Sequence, residues 1–252
     1  MDFQKQERNL ETLLEDQLLQ TIKYIFHALS SKKDLSPNEN TSAQFLYLGR
    51  LALSNNANHR EVVDSLQKDG TLQSLIELCC KGEIELERYW ASRIIRREKD
   101  ITQFPYYGNY VQLTKFELEQ IQQYIGLDGK KLLFVGSGAL PLTAIMFKQQ
   151  QPSLEIRCID KDAKFVKLCR ELLSKLRISY LPIGNFDIND LNPDVQSMLS
   201  STSIVFIAAL VGNSNSEKNQ ILYGIHPYLT RGSLVGIRSV PDDMRRLFYP
   251  KF

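Results

Sequence analysis

Two glycines and an aspartate are the first residues of this chain whose types and spacing suggest chemistry. Gly136, Ser137 and Gly138 follow the apolar run from Lys131 to Val135, and Asp160 closes the next apolar run, Ile156 to Ile159. A strand that ends in a glycine turn and opens a helix lets backbone approach a ligand closely and presents amide donors to it. An acidic side chain about 20 residues further on, at the end of the next strand, can accept hydrogen bonds from both hydroxyls of a ribose. Lys161 stands beside it. The third glycine of Gly-x-Gly-x-x-Gly is absent: Leu140 is followed by Pro141 at that position. That glycine serves close helix packing around a pyrophosphate, so its loss favours S-adenosylmethionine over a nicotinamide dinucleotide. Asp187, in Gly184-Asn-Phe-Asp187, falls where a third strand should end. It either contacts an adenine amino group, with Phe186 beside the ring, or is a simple turn residue.

The elements that must position these residues divide into two patterns. Up to about residue 126 the chain reads as helices. Leu10, Leu13, Leu14, Leu18, Ile22, Ile25, Phe26 and Leu29 recur mostly at spacings of three and four, which makes one apolar stripe. Pro37 stops helix continuation in the polar stretch that follows, and Thr41 or Ser42 is expected to cap the next helix. A third helical stretch spans roughly His59 to Arg97, broken at Asp69-Gly70. The aromatic segment Gln103 to Tyr110, with Pro105 and Gly108, is expected to be a loop; a helix from about Lys115 to Tyr124 follows. From Lys130 short apolar runs alternate with helices: strands at Lys131–Val135, Ile156–Ile159, Ile204–Leu210 and Ser233–Arg238, and a helix over Ala163–Leu176. That alternation predicts a doubly wound, mostly parallel α/β sheet of Rossmann-like type. The expected division is an all-helical N-terminal domain, 1–126, and a cofactor-binding α/β domain, 127–252.

Bulk properties narrow the function classes. Hydrophobic residues are 43%, charged residues 24%, and the net charge is +2, an ordinary globular balance without the basic stripe of a nucleic-acid binder. The densest basic run, Arg93, Arg96, Arg97 and Lys99, reads as a solvated helix face. Cys79, Cys80, Cys158 and Cys169 have no paired spacing, which argues against a disulfide framework. Cys79 and Cys80 are read as small apolar residues on a buried helix, with a reactive or metal-binding pair as the alternative. His27, His59 and His226 have no metal-ligand spacing, so no metal is expected. With no signal peptide and no apolar run of about 18 residues, the expectation is a cytoplasmic protein without a membrane association. A homodimer is the assembly carried as an expectation.

Several ordered segments together carry a resemblance. Val135-Gly-Ser-Gly-Ala-Leu-Pro-Leu-Thr143 resembles the cofactor motif of nicotianamine synthases and of their bacterial relatives that make opine-type metallophores such as staphylopine and pseudopaline. The likeness continues in Phe104-Pro-Tyr-Tyr-Gly-Asn-Tyr110, in Phe206-Ile-Ala-Ala-Leu-Val-Gly212 followed by Lys218, and in Ile237-Arg-Ser239 with Leu247-Phe-Tyr-Pro250. The resemblance implies a helical domain over a Rossmann-like one, and adds Ala208, Ala209 and Leu210 to the cofactor contacts. It implies attack by a nucleophile on the methylene carbon of the cofactor's amino-acid arm. The 2-aminobutanoate group is then transferred and 5′-methylthioadenosine leaves.

Such a reaction needs an attacking nitrogen in line with the leaving sulfur, an acceptor amine that has lost its proton, and a partner for the acceptor carboxylate. Glu87, in Glu83-Ile-Glu-Leu-Glu87, resembles the family glutamate that engages the acceptor amine, and Tyr110 a tyrosine facing the same cavity. Tyr106 and Tyr107 are near enough in sequence to line it; packing a domain junction is the alternative for all three tyrosines, and a surface position on the face shared with Glu83 is the alternative for Glu87. Arg238 and Tyr249 are candidate substrate contacts or structural residues. The relatives usually continue past the Tyr-Pro motif with a final pair of strands, whereas this sequence stops at Phe252, which leaves that edge of the pocket open to question.

Four functions compete. The leading expectation is a single transfer of 2-aminobutanoate to a small-molecule amino acid, histidine foremost, on the way to an opine-type metallophore. A full nicotianamine synthase would accept repeated transfers. A methyltransferase would release S-adenosylhomocysteine instead. A nucleotide-binding regulatory module would bind S-adenosylmethionine without turnover.

Overall fold

A computed structural model describes residues 10–212, 214–240 and 244–248. The described chain forms two compact units. Residues up to Leu86 together with those from Ser239 make one, and Glu87–Arg238 make the other. The change of pattern near residue 127 therefore marks the start of the sheet, whereas the compact unit begins at Glu87.

The first unit is built on helices α1 (Glu15–Ser30), α2 (Glu39–Leu53), α3 (His59–Lys68) and the beginning of α4 (Thr71–Ile95). The apolar stripe of α1 is buried at Leu18, Ile22, Ile25 and Leu29, as its spacing requires. α2 starts earlier than the expected Thr41 or Ser42 cap. Asn38 is the capping residue, with extended backbone and a side-chain oxygen that accepts the Thr41 N–H at 3.0 Å; asparagine is among the strongest N-caps. Thr41 itself is buried one turn inside the helix.

On α4 all of Leu72, Leu75, Ile76, Cys79 and Cys80 are buried. Burial holds the Cys79 thiol well above its usual pKa, so it stays protonated, which suits the packing role rather than the reactive one.

The second unit opens with the end of α4 and a 3-10 turn at Ile101–Gln103, followed by α5 (Tyr107–Gln122). The segment expected as a loop is thus half helix. Pro105 precedes the capping residue Tyr106 and lies outside the helix, where its missing N–H removes no helical hydrogen bond. Phe104 is buried, with its ring edge-on to Trp90, Tyr106 and Tyr110 at centroid distances of 5.8, 5.6 and 6.4 Å. This aromatic contact outweighs the weak helix propensity of Gly108.

The sheet then follows as β1 (Lys131–Val135), α6 (Leu142–Gln150), β2 (Glu155–Asp160), α7 (Ala163–Lys175), β3 (Ile183–Asn185), α8 (Pro193–Ser200), β4 (Ile204–Ile207), α9 (Asn215–Ile225) and β5 (Leu234–Ile237). The strand order is β3-β2-β1-β4-β5 and every pairing is parallel. This is the doubly wound Rossmann-like α/β sheet expected from the alternation. β4 and β5 end at Ile207 and Ile237, earlier than the apolar runs suggested, because the chain turns away beyond the sheet.

Alternation along the strands divides the core between the two faces. Leu132, Phe134, Ile156, Cys158, Ile204 and Phe206 pack with residues of α5, α6 and α7, including Leu118, Ile145, Phe147 and Leu173. Leu133, Val135, Ile159, Val205 and Ile207 pack with Val195 and Leu199 of α8 and Ile221 and Ile225 of α9. Gly236 in β5 leaves room for the Phe206 ring, whose nearest atom would lie 3.0 Å from a Cβ there.

Glu83 on α4 yields a test of the helical unit. Burial pushes its carboxyl from 4.5 up to about 7. The unfolded chain therefore releases this proton first, and stability falls as pH rises from about 4.5 to about 7. Glu83→Gln is expected to raise the melting temperature at pH 8, by at most about 3 kcal/mol of stability, and to leave it nearly unchanged at pH 4. Equal effects at both values in a calorimetric pH series would contradict this account of Glu83.

Candidate active site

The sheet changes direction of winding between β1 and β4, and ligands of open parallel sheets sit beyond the strand C-termini at such a point. The segments that follow β1, β2, β3 and β4 all emerge on that edge. They carry Gly136–Pro141, Asp160 and Lys161, Phe186 and Asp187, and Ala208–Gly212 respectively.

The turn after β1 is shaped by two left-handed glycines, Gly136 at φ 85 and Gly138 at φ 63. Both positions are also sterically closed to a side chain. A Cβ on Gly136 would collide with Val211, and a Cβ on Gly138 with the carboxylate of Glu87. The turn's amides are used within the fold. Gly136 N–H and Ser137 N–H donate to Ile159 O at 2.9 and 3.3 Å, and Gly138 N–H donates to Asp160 Oδ2 at 2.8 Å. The donors expected for a ligand thus tie β1's turn to the end of β2. Ser137 supplies a different polar group: its hydroxyl oxygen is buried and has no hydrogen-bond partner among the described residues. A buried orphan hydroxyl fits a ligand that brings its own polar atom. Ala139, Leu140 and Pro141 are buried and give the apolar floor from which α6 starts.

Asp160 holds two loops in place. Its Oδ2 accepts from Gly138 and its Oδ1 from Asp162 N–H at 2.9 Å. Burial pushes its carboxyl up while these two amides pull it down, burial being the larger effect. Phe186 N–H donates to Asp160 O at 3.0 Å, which sets the Phe186 ring over Gly184. The carboxylate of Asp187 accepts from Asn189 N–H and from the Asn189 side chain, at 2.9 and 3.1 Å, the turn alternative for this residue. Lys161 is exposed, and its carbonyl accepts from Asn185. Ala208 continues the β4 pairing through its N–H to Val135 O at 3.0 Å, Ala209 is buried, and Leu210 is half-buried.

Opposite this turn lie the residues expected to meet an acceptor. Glu87, on α4, is half-buried with its carboxylate against Gly138. Tyr106 and Tyr107 start α5, and Tyr110 lies one turn further along it. The Arg238 guanidinium stands 5.6 Å from the Tyr110 ring centre and 5.7 Å from that of Phe206. Its Nε and Nη2 donate to the two carboxylate oxygens of Glu117 at 2.7 and 2.8 Å, and Nη2 also to Thr143 Oγ1 at 3.0 Å. The forked edge expected to meet a substrate carboxylate therefore holds Glu117. The pair is largely buried, with 14% of the Arg238 and 11% of the Glu117 side chain exposed. Tyr249 lies outside the described residues.

Glu117 was not singled out from sequence, and Lys218 entered only with a resembling segment. Glu117 follows Tyr110 by two helical turns on α5, a spacing that places both on one face. Lys218 occupies a buried position in the Lys218, Ile221, Ile225 stripe of α9, and a lysine in such a stripe is itself a signal. Among the described residues, no group of three or more His, Cys, Asp or Glu side chains could hold a metal ion. No helix among them is long and apolar enough to cross a membrane.

The fold and this turn define a Rossmann-like protein with a nucleotide-type ligand edge, in which a carboxylate stands directly at the glycine turn. The family model described as nicotianamine synthase protein matches residues 10–252, and the chain belongs to the nicotianamine synthase family. It is 29% identical over 249 residues to nicotianamine synthase 3 of Arabidopsis thaliana, covering 94% of this chain and 75% of that one. It is 27% identical over 235 residues to nicotianamine synthase of Solanum lycopersicum, covering 90% and 71%. Among solved structures, that of MtNAS in complex with MTA and tNA matches with a TM-score of 0.72 at 19% identity, covering 91% of this chain and 85% of that one. A mutant of MtNAS in complex with S-adenosylmethionine matches with a TM-score of 0.69 at 19% identity, covering 92% and 85%. These two share its fold.

The buried Arg238–Glu117 pair is open to test. Glu117→Ala strands a guanidinium in a partly desolvated place and is expected to cost about 3–5 kcal/mol, read as a fall in the denaturant midpoint. The double variant Glu117→Leu/Arg238→Met is expected to lose less than either single change. A double variant at least as unstable as the sum of the singles would show that the pair is not coupled.

Proposed function

We propose that this protein transfers the 2-aminobutanoate group of S-adenosylmethionine to an amine and releases 5′-methylthioadenosine. The observation that carries the reading is the Glu87 carboxylate against Gly138. An acceptor that arrives as an ammonium needs a carboxylate to pair with it and take its proton. Membership of the nicotianamine synthase family supports the same chemistry.

S-adenosylmethionine, as co-substrate, supplies an activated methylene carbon and a neutral leaving thioether. The chain's residues do the rest. Asp160 stands at the β2 end, where a ribose is held in such sheets, and the Ser137 hydroxyl can bond a polar group entering the turn. Phe186, beside its glycine, provides a flat apolar wall for a purine. Glu87 pairs with the acceptor ammonium and takes its proton, leaving the nitrogen lone pair free to attack. The attacking nitrogen forms its bond to the methylene carbon as the carbon–sulfur bond breaks. Tyr110, steadied by the Arg238 guanidinium over its ring, lines the acceptor side together with Tyr106 and Tyr107. Arg238 acts here through Tyr110 rather than as a direct carboxylate anchor.

The acceptor distinguishes two versions of this function. The names of the plant relatives favour repeated transfers that build nicotianamine from several S-adenosylmethionine molecules. Segments 104–110 and 135–143 resemble the nicotianamine synthases and the opine-metallophore branch alike, so a single transfer to histidine stands as the second version. Mass spectrometry after incubation with S-adenosylmethionine, with and without L- or D-histidine, separates them. Nicotianamine formed without added acceptor marks the first, and methylthioadenosine formed only with histidine, with the matching adduct, marks the second. S-adenosylhomocysteine as the product would overturn the proposal.

Glu87→Gln keeps the shape and removes the base. It is expected to lower turnover by roughly 10²–10⁴-fold while S-adenosylmethionine affinity stays within about threefold, a difference of well under 1 kcal/mol. Gly138→Ala must displace the same carboxylate as well as adopt a positive φ, so its turnover is expected to fall comparably. Wild-type turnover in either variant would remove Glu87 from the mechanism.

A further inference from the structure

Lys218 is the charged side chain most completely withdrawn from solvent among the described residues, with 1% of its surface exposed. It lies on α9 between the sheet and the loop that leaves β4. Its ammonium donates to Ala209 O at 2.9 Å and to Val211 O at 2.8 Å, two carbonyls of that loop. Gly212, at φ 77, lets the chain pass the lysine stem: a Cβ there would lie 3.1 Å from Lys218 Cγ and 3.2 Å from Lys218 N. From the loop, the side chain of Val211 fills the space that a Gly136 Cβ would occupy. An unbroken line of contacts thus runs from a buried ammonium, through two carbonyls and one valine, to the turn at the end of β1.

A buried charge is costly, and an apolar side chain of the same length would satisfy packing in a stripe otherwise made of isoleucines. It would also leave two loop carbonyls without their donor, and a loop without its donor is free to lift. We propose that Lys218 is a positioning residue of the cofactor site. Its two hydrogen bonds fix the 208–212 loop at the height that presses Val211 onto Gly136, and this sets the affinity for S-adenosylmethionine. The inference rests on the proposed function in naming that ligand; the fixing of the loop does not depend on it.

Lys218→Met retains the stem and removes the donors. Hydrogen exchange is expected to quicken at least about tenfold in the amides of 209–212 while those of β1 and β4 keep their protection. Calorimetric titration is expected to show S-adenosylmethionine binding weakened by about tenfold or more, with turnover at saturation within about threefold of wild type. A merely structural lysine would lower stability without this division between affinity and turnover. Val211→Ala, which keeps the lysine and both hydrogen bonds, removes only the methyls on Gly136 and is expected to weaken binding about threefold or more.

Unchanged exchange in the 209–212 amides of Lys218→Met overturns the proposal, as does binding within twofold of wild type in either variant. If Lys218→Met does not fold, Val211→Ala decides. A wild-type protein that fails to bind S-adenosylmethionine overturns the proposed function instead, and the exchange comparison still decides the role of the lysine.

Discussion

The organisation of the site depends on a steric constraint: two positions at the end of β1 must have no side chain. Gly136 and Gly138 take up positive φ, and each vacated space is claimed from a different direction, by Val211 and by the Glu87 carboxylate. The glycines are therefore more than flexible punctuation. They are the points at which the loop after β4 and the end of α4 close on the sheet edge. Asp160 completes this arrangement by accepting from the Gly138 amide, so β2 is tied to the same turn. Much of what surrounds the turn exists to hold those approaches steady.

Charge is handled by the same economy. The second unit buries a lysine against carbonyls of the loop just before its helix, and a guanidinium against a carboxylate far away in the chain. Arg238, at the end of β5, reaches Glu117 on α5 and Thr143 on α6. Its guanidinium also stands beside the rings of Tyr110, on α5, and Phe206, on β4. A fork of hydrogen bonds fixes the orientation of a planar group in a way that packing alone does not. The fork fixes Arg238 with that edge on Glu117.

Much of this was legible in the sequence, and the exceptions have physical causes. Strands β1 and β4 announce themselves because strands buried on both faces read as unbroken apolar runs, and the glycine turn because nothing else tolerates its geometry. The start of α5 was hidden: Gly108 and Pro105 are loop residues by propensity, and only the tertiary contacts of Phe104 override them. The α2 cap was misplaced by a few residues because asparagine, threonine and serine all stand near that end and share the capping chemistry. Arg238 stood out in the sequence, but its partner did not, since Glu117 is an unremarkable helix glutamate until the end of β5 is placed beside α5. Lys218 shows the same limit. Its position in an apolar stripe is visible, but the carbonyls that justify it belong to a loop whose path no local pattern records.

The strand order has a consequence for when the site comes into being. β1 pairs with β2 after a single helical crossover, but with β4 only after two further strands and three helices have been made. Parallel pairings of this kind must pay loop closure before they gain contacts, and they form slowly. The turn after β1 therefore exists early in synthesis as a bare glycine bend, lacking the valine and the carbonyls that later press on it. A ligand meeting this half-sheet would find the ends of β1, β2 and β3 but not the loop after β4, which comes later in the chain. Its stabilising effect is fullest in the finished molecule, where all four segments are in place.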